Sequence, residues 1–347
     1  MSNQRFSLLI LHEKISSNAR SDELDTLVQV EQICSAMQAK GWQVETRATG
    51  LNLEATHAAI SSLNPDCIFN LVESLAGVGQ LVHFIPSLLA TLNCAYTGVN
   101  ADAMYLSSQK CLAKKIMHLN NIATADSFGR DDLMPITDGQ WIVKSLWEHA
   151  SFGMDDACVV TGAKAALARI DYCKQQHGGE WFAERYLQGR EFNVSVIEVD
   201  GQPKILPVAE IQFAHYPRGK PKIVSYAAKW HEQTFEYQAT QRAFPILSAA
   251  ETSEINTLVL RCWQAFQLSS YARVDIRCDE TGKPWVLEIN ANPCLTQDAG
   301  FAAACHQAGM SYPQVVETII KESMSSWAKG LQSDAPMPPS SLAPQAA

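Results

Sequence analysis

The chain has 347 residues, 47% hydrophobic and 18% charged, with a formal net charge of -9 at pH 7. That balance supports a large core in two or three compact units and excludes a nonspecific nucleic-acid binder, which needs a basic stripe. The ten cysteines include no C-x-x-C pair, and no run of ~18 apolar residues occurs, so a disulfide framework, a zinc site and a membrane span are not expected, and a reducing cytoplasm is.

In chain order, Phe6 to Leu11 reads as a buried strand and Asp22 to Lys40 as an amphipathic helix closed by Gly41. Gln43 to Arg47 and Asp66 to Leu71 read as further strands, and this rhythm predicts parallel α/β structure. Ligands gather beyond the carboxyl ends of such strands, which puts His12, Glu13, Glu73 and Ser74 at a site edge. A second unit opens near Gly98, with a helix from Ser107 to Leu119, a strand Gln140 to Lys144 and a polar loop Ser145 to Gly153. A third holds strands at Trp181 to Tyr186, Glu191 to Val199 and Pro203 to Gln212, then a turn at 217 to 222 and a helix from Ala249 to Gln267. The Pro-, Ser- and Ala-rich stretch from Trp327 to Ala347 reads as disordered.

Chemistry concentrates in Arg273-Val274-Asp275-Ile276-Arg277 and, after the turn Asp279 to Gly282, Leu287-Glu288-Ile289-Asn290. Apolar and polar residues alternate with the period of a strand. If Cys278 pairs with Lys283, Arg273 lies opposite Glu288 and Asp275 opposite Val286, so Asp275, Glu288 and Asn290 share one face. Three hard oxygen donors suit Mg2+, with Mn2+ as the alternative ion, and Arg273 beside them fits a phosphate or carboxylate. A hairpin with a solvated polar face is the competing reading.

Lys144 ends a strand before a loop containing Ser151 and Gly153, small enough for backbone N–H groups to approach an anion. Lys110 lies on a helix that also carries Lys114 and Lys115, where a solvated face is the ordinary outcome. Lys229 is equally unremarkable alone, and Glu184-Arg185-Tyr186-Leu187 with Glu191 reads as an edge strand without this context.

From about Tyr96 to Asn292 the chain resembles the ATP-grasp carboxylate-amine ligases, in particular the D-alanine:D-alanine ligases. The resemblance implies an α/β ATP-grasp fold of three subdomains at 1–98, 99–183 and 184–325, a tail at 326–347, and ATP between the central and C-terminal subdomains. It implies that Lys110 and Lys144 bind phosphates, that Ser145 to Gly153 cover them, and that Glu184, Arg185 and Leu187 form an adenine hinge with Glu191 on the ribose. Lys229 then faces the γ-phosphate, Arg273 steadies the acyl phosphate, Ser151 joins these two in the catalytic set, and Asp275, Glu288 and Asn290 ligate magnesium. Glu13, Glu73, Asn292 and Asp298 are the candidate substrate contacts. Partners implied are ATP and small carboxylate and amine substrates. The resemblance also implies a homodimer through the N-terminal subdomain, where Leu81 to Leu92 is apolar enough to serve or simply to be a buried helix.

Departures from the family pattern bear on substrate. Where relatives carry Gly-Gly-x-Ser-x-Glu, this chain reads Leu11-His12-Glu13-Lys14-Ile15-Ser16-Ser17, and Glu73 stands in place of a histidine. The serine expected to hold the second substrate's carboxylate is Ala299, and Asp298 replaces another histidine. These exchanges predict an amino-acid or peptide ligase for other, more basic or differently shaped substrates. D-alanine:D-alanine ligation proper, phosphoryl transfer that stops at a phosphorylated product, and nucleotide binding without turnover are the alternatives.

Overall fold

The computed structural model describes residues 6–130, 132 and 138–333. The first sheet is parallel, in the order β2 (Gln43–Thr49), β1 (Ser7–Glu13), β3 (Cys67–Asn70), β4 (Ala95–Tyr96). Leu8 to Leu11 are all buried, the continuous apolar run of a strand covered on both faces. Helix α1 (Ser21–Ala39) starts where Arg20 N–H donates to Glu23 Oε2 at 2.7 Å and ends before Gly41 at φ 87°. Helices α2 (Leu53–Leu63) and α3 (Phe84–Leu89) complete this layer. The apolar stretch Leu81 to Leu92 packs inward through Val82, Ile85 and Leu89, leaving Phe84 exposed.

The expected helix from Ser107 divides into α4 (Ala101–Ser108) and α5 (Lys110–Leu119), because Gln109 leaves the helical region at ψ 94°. The break makes Lys110 the first residue of a new helix. A second sheet, antiparallel, follows in the order β5 (Ser127–Gly129), β8 (Trp181–Arg185), β6 (Gln140–Ser145), β7 (Val159–Thr161), with α6 (Ala163–His177) packed on it.

The third sheet is built on β9 (Glu191–Val199). The strand expected from Pro203 to Gln212 is two, β10 (Gln202–Ile205) and β11 (Ala209–Phe213), which pair with opposite ends of β9. After α7 (Tyr226–Trp230) and α8 (Phe235–Ala239), β12 (Thr240–Ala243) joins β11; α9 (Ala249–Ala265) precedes the hairpin β13 (Tyr271–Cys278) and β14 (Pro284–Asn290). Helices α10 (Gly300–Gln307) and α11 (Tyr312–Ser333) close the fold. The stretch expected to be disordered from Trp327 is thus helical to Ser333, and the remainder of that expectation lies outside the described residues.

The cores cross the sequence boundaries. Met104, Ala113 and Met117 of α4 and α5 pack with β9, β13 and α9, while Val316 and Ile319 of α11 join Leu8, Ile10 and Phe69 beneath the first sheet. Three sheets are thereby locked around one opening. Ile276 is wholly buried at the centre of the C-terminal core. Ile276→Ala is expected to cost ~2–5 kcal/mol through lost burial and a cavity, read as a lower urea midpoint for unfolding.

Candidate active site

A cleft of about 540 Å³ runs between the second and third sheets and reaches the edge of the first. A smaller cavity of about 310 Å³ behind the hinge, lined by Arg190, Phe192, Glu251 and Cys278, contains none of the expected catalytic residues.

At one end of the cleft, Glu184 is buried on β8 with an ion pair on each side, to Lys144 of β6 and to Lys114 of α5, the latter at 2.7 Å. Burial alone would raise the Glu184 pKa, but the two ammonium groups hold it below the ordinary range. Lys114 also donates to Thr124 Oγ1 at 2.9 Å, and Thr124 Oγ1 donates to Val286 O of β14 at 2.7 Å. Lys110 is buried as well, donating to Glu148 O at 2.8 Å and lying 4.0 Å from Glu288. The competing reading of Lys110 as part of a solvated helix face does not hold: Lys110 and Lys114 are both buried, and Lys115 is the exposed one. Lys110 and Lys114 are one turn apart on the inward side. Burial lowers the Lys110 pKa despite Glu288; burial also acts downward on Lys144, but Glu184, Glu288 and Glu191 together raise it.

The hairpin register differs from the expected one. Cys278 pairs with Pro284 because the connection takes in Lys283, one residue more than expected, and a bulge that leaves Leu287 extra between the pairs Ile276/Val286 and Asp275/Glu288 adds a second residue of shift, so that Asp275 pairs with Glu288 and Arg273 with Asn290. Asp275, Glu288 and Asn290 still face the cleft together. Arg273 forks onto Asp275, Nε to Oδ1 at 2.7 Å and Nη2 to Oδ2 at 2.9 Å, while Asn193 and Asn290 each donate an amide N–H to the same carboxylate. Glu288 is half-buried, and its desolvation would raise its pKa, yet Lys110, His149, Lys144 and Lys229 hold it well below the carboxylate range. His149 is pushed down to about 4 by burial and then by Lys110, so it is neutral.

The hinge lies along β8 and its exit. Arg185, Tyr186 and Leu187 all line the cleft, and the Arg185 guanidinium lies over the Trp141 ring and donates to Asp138 O at 3.2 Å. Glu191 is ion-paired with Arg277 on the adjacent strand.

Above the lysines, the loop 145–153 is stitched to the segment carrying Lys229. Ser151 Oγ donates to Val224 O at 2.7 Å, and Trp230 Nε1 to Ala150 O at 3.2 Å. Ala150 and Ser151 hold left-handed φ values of 58° and 61°, a strained pair that the stitching maintains. Ser145 Oγ accepts from Glu148 N at 3.2 Å, shaping the loop from within. Gly153 is not a cleft residue: a Cβ there would lie 2.5 Å from Trp181, so its small size serves packing. Lys229 lines the cleft, its pKa lowered by burial and then by Arg273. Tyr226 donates its hydroxyl to Asp22 Oδ1 of α1 at 2.9 Å, tying this lid to the N-terminal layer.

The opposite end is acidic. Glu73 and Asp25 line it, and Glu13 sits behind, accepting from Thr26 at 3.0 Å and from Glu73 N at 3.3 Å. Burial, then the charge of Glu13, push Glu73 up to about 8. Asn292 spends both ends of its amide on Tyr271 and Val72, and Asp298 is exposed at the rim, its carbonyl accepting from Arg242 at 3.0 Å. Residues that the sequence alone did not single out are Lys114, Arg277, Asp22, Asp25, His149 and Arg242. The period of two placed Arg277 on the hairpin's polar face; the others depend on tertiary packing.

Three sheets of this order around one lysine- and acid-lined cleft define an ATP-grasp fold. The family model described as "D-ala D-ala ligase C-terminus" matches residues 140–321. A D-alanine–D-alanine ligase of Acinetobacter baumannii is 27% identical over 252 residues, covering 69% of this chain and 75% of that protein. An uncharacterized protein of Sinorhizobium fredii is 26% identical over 265 residues, 73% of each chain. The crystal structure of D-alanine–D-alanine ligase from Bacillus anthracis complexed with ATP superposes with a TM-score of 0.72 at 19% identity, covering 94% of this chain and 99% of that one. The chain belongs to the D-alanine–D-alanine ligase family of ATP-grasp ligases. No helix among the described residues is long and apolar enough to cross a membrane.

Lys114→Met leaves Glu184 with a single cation, and breaking a buried pair of this kind is expected to destabilise by ~3–5 kcal/mol, measured by urea titration. Glu73 gives a pH signature. Its folded pKa of about 8 exceeds the reference 4.5, so the native state binds the proton more tightly and stability falls as pH rises between those values. Glu73→Gln removes that loss, and its Tm relative to the parent is expected to climb from pH 5 to pH 9 in a thermal-melt series.

Proposed function

We propose that the protein is an ATP-dependent ligase that joins a carboxylate to an amine through an acyl phosphate, releasing ADP and phosphate, on substrates other than two D-alanines. The observation that carries this reading is the single cleft in which Lys110, Lys144, Lys229 and Arg273 surround Asp275, Glu288 and Asn290, with an acidic pocket beyond. A carboxylate is a poor electrophile, so its oxygen first attacks the γ-phosphorus of ATP. Lys110, Lys144 and Lys229 neutralise the separating phosphate oxygens. Burial first, and then a neighbouring cation, Lys144 for Lys110 and Arg273 for Lys229, lower the pKa values of these two lysines.

Asp275, Glu288 and Asn290 fit a hard divalent cation. Glu288 is ionised and faces the cleft, and Asn290 donates its N–H to Asp275 at 3.0 Å, leaving its carbonyl oxygen as a ligand. These residues would hold Mg2+, which supplies charge to the phosphate oxygens when bound. Arg273 is committed to Asp275 in the free protein. Released toward the activated carbonyl, it holds the oxyanion that forms as the amine attacks. Water would hydrolyse an acyl phosphate, and the Ser151–Val224, Trp230–Ala150 and Tyr226–Asp22 bonds close the two loops over it. Leu187 and Tyr186 suit an adenine, with Glu191 oriented toward ribose by Arg277.

Ala299 in place of the carboxylate-holding hydroxyl, together with Glu73 in place of a histidine, supports the substrate distinction. Phosphate release with ATP and Mg2+ across paired L- and D-amino acids and dipeptides, followed by mass spectrometry, is expected to give products weighing the two substrates less water. D-alanyl-D-alanine as the sole product overturns the substrate distinction, and a phosphorylated product without amide overturns the ligase reading. Glu288→Gln is expected to keep the parent's circular dichroism while ADP formation falls about 10²–10³-fold; normal turnover in the folded variant would remove Glu288 from the mechanism.

A further inference from the structure

We infer that the end of the cleft away from the phosphate lysines receives a basic group of the substrate, an ammonium or guanidinium, at a wall formed by Glu73 and Asp25. The proposal deepens the ligase reading and rests on it for calling the bound molecule a substrate. Two other acids nearby are already compensated: Asp22 pairs with Arg20 at 3.0 Å, and Asp298 faces Arg242. Glu73 and Asp25 are not. Glu73 accepts a 3.3 Å bond from Gln29, and the charged groups that perturb it most, Glu13, Asp25 and Asp22, are acidic. Among the described residues, Asp25 accepts only a thiol bond from Cys294 at 3.0 Å, and its pKa is raised by burial and then by Asp298.

A buried carboxylate without a cation is costly and either takes a proton or a counter-ion. Both side chains line the cavity, so the counter-ion can come from a ligand. The upward shift of Glu73 describes the free protein, and a cation at the wall replaces that proton. Across the cleft, Lys229 and Arg273 present positive charge. A molecule that bridges the two ends carries an anionic reacting carboxylate at one end and a cation at the other, the pattern of a basic amino acid. A neutral chain of equal length satisfies only one end.

The test is equilibrium binding by calorimetry to the full chain, with Mg2+ and a nonhydrolysable ATP analogue present. The probes are L- and D-lysine, ornithine and arginine against the neutral isosteres norleucine and citrulline, with ADP formation from ATP measured in parallel. At least one basic probe is expected to bind ten times or more tighter than its neutral isostere, with proton release to buffer at pH 7 as Glu73 ionises. Glu73→Gln should reduce that ratio below threefold while the variant still binds the ATP analogue; Asp25→Asn is the second variant should Glu73→Gln not fold. Equal binding of basic and neutral probes, no binding of any basic probe, or a ratio untouched by both substitutions overturns the proposal. Preferential binding of a basic probe without ADP formation in any pairing upholds the charge recognition and overturns the ligase reading instead.

Discussion

One buried carboxylate holds the nucleotide end of this protein together. Glu184 neutralises Lys144 on one side and Lys114 on the other, and from Lys114 the path continues through the Thr124 hydroxyl to the Val286 carbonyl. That chain of charge-assisted bonds runs from the central sheet to the C-terminal sheet. Val286 N–H closes the link by donating to Ala123 O at 2.8 Å, on the strand that carries Glu288 and Asn290. Lys144 and the hairpin that carries Glu288 and Asn290 therefore share one rigid frame, and neither can shift without disturbing the buried Lys114–Glu184 ion pair.

Charge is sorted along the cleft. Cations gather where the three-residue oxygen set lies, and unpaired acids gather where the first sheet ends. The two loops are fastened to each other by neutral hydrogen bonds from Ser151 and Trp230, while the Tyr226 hydroxyl reaches the Asp22 carboxylate of the N-terminal layer. Neutral fastenings are weaker than ion pairs and easier to open. The division leaves the lysine end of the cleft fixed by ion pairs and the loops over it freer to open.

Much of the site was legible because it follows local rules. Period-two alternation put Asp275, Glu288 and Asn290 on one face, and that face is the one lining the cleft. The register was not legible, since Leu287 is an ordinary strand residue and nothing in the sequence announces a bulge at it. Nor did Gln109 announce a helix break, having neither the ring of proline nor the freedom of glycine. Lys114 was within reach: it follows Lys110 by four residues and shares its face, whereas Lys115 points outward. Asp22 and Asp25 gain meaning only from the docking of α1 beside Tyr226 and Cys294, contacts separated by more than 200 residues.

The bulge at Leu287 divides the hairpin into two segments with different freedoms. Arg273 and Asp275 take their register from β9, opposite Ser195 and Asn193, and not from the turn at Asp279 to Gly282. Descendants of this sequence can lengthen, shorten or recompose the turn while the ligand residues stay where β9 sets them. Deleting Leu287 itself would only straighten the ladder, with Glu288 still opposite Asp275, whereas deleting Ile289 would carry Asn290 to the opposite face. Insertions and deletions in this lineage should therefore be tolerated on the turn side of the bulge and purged on the other.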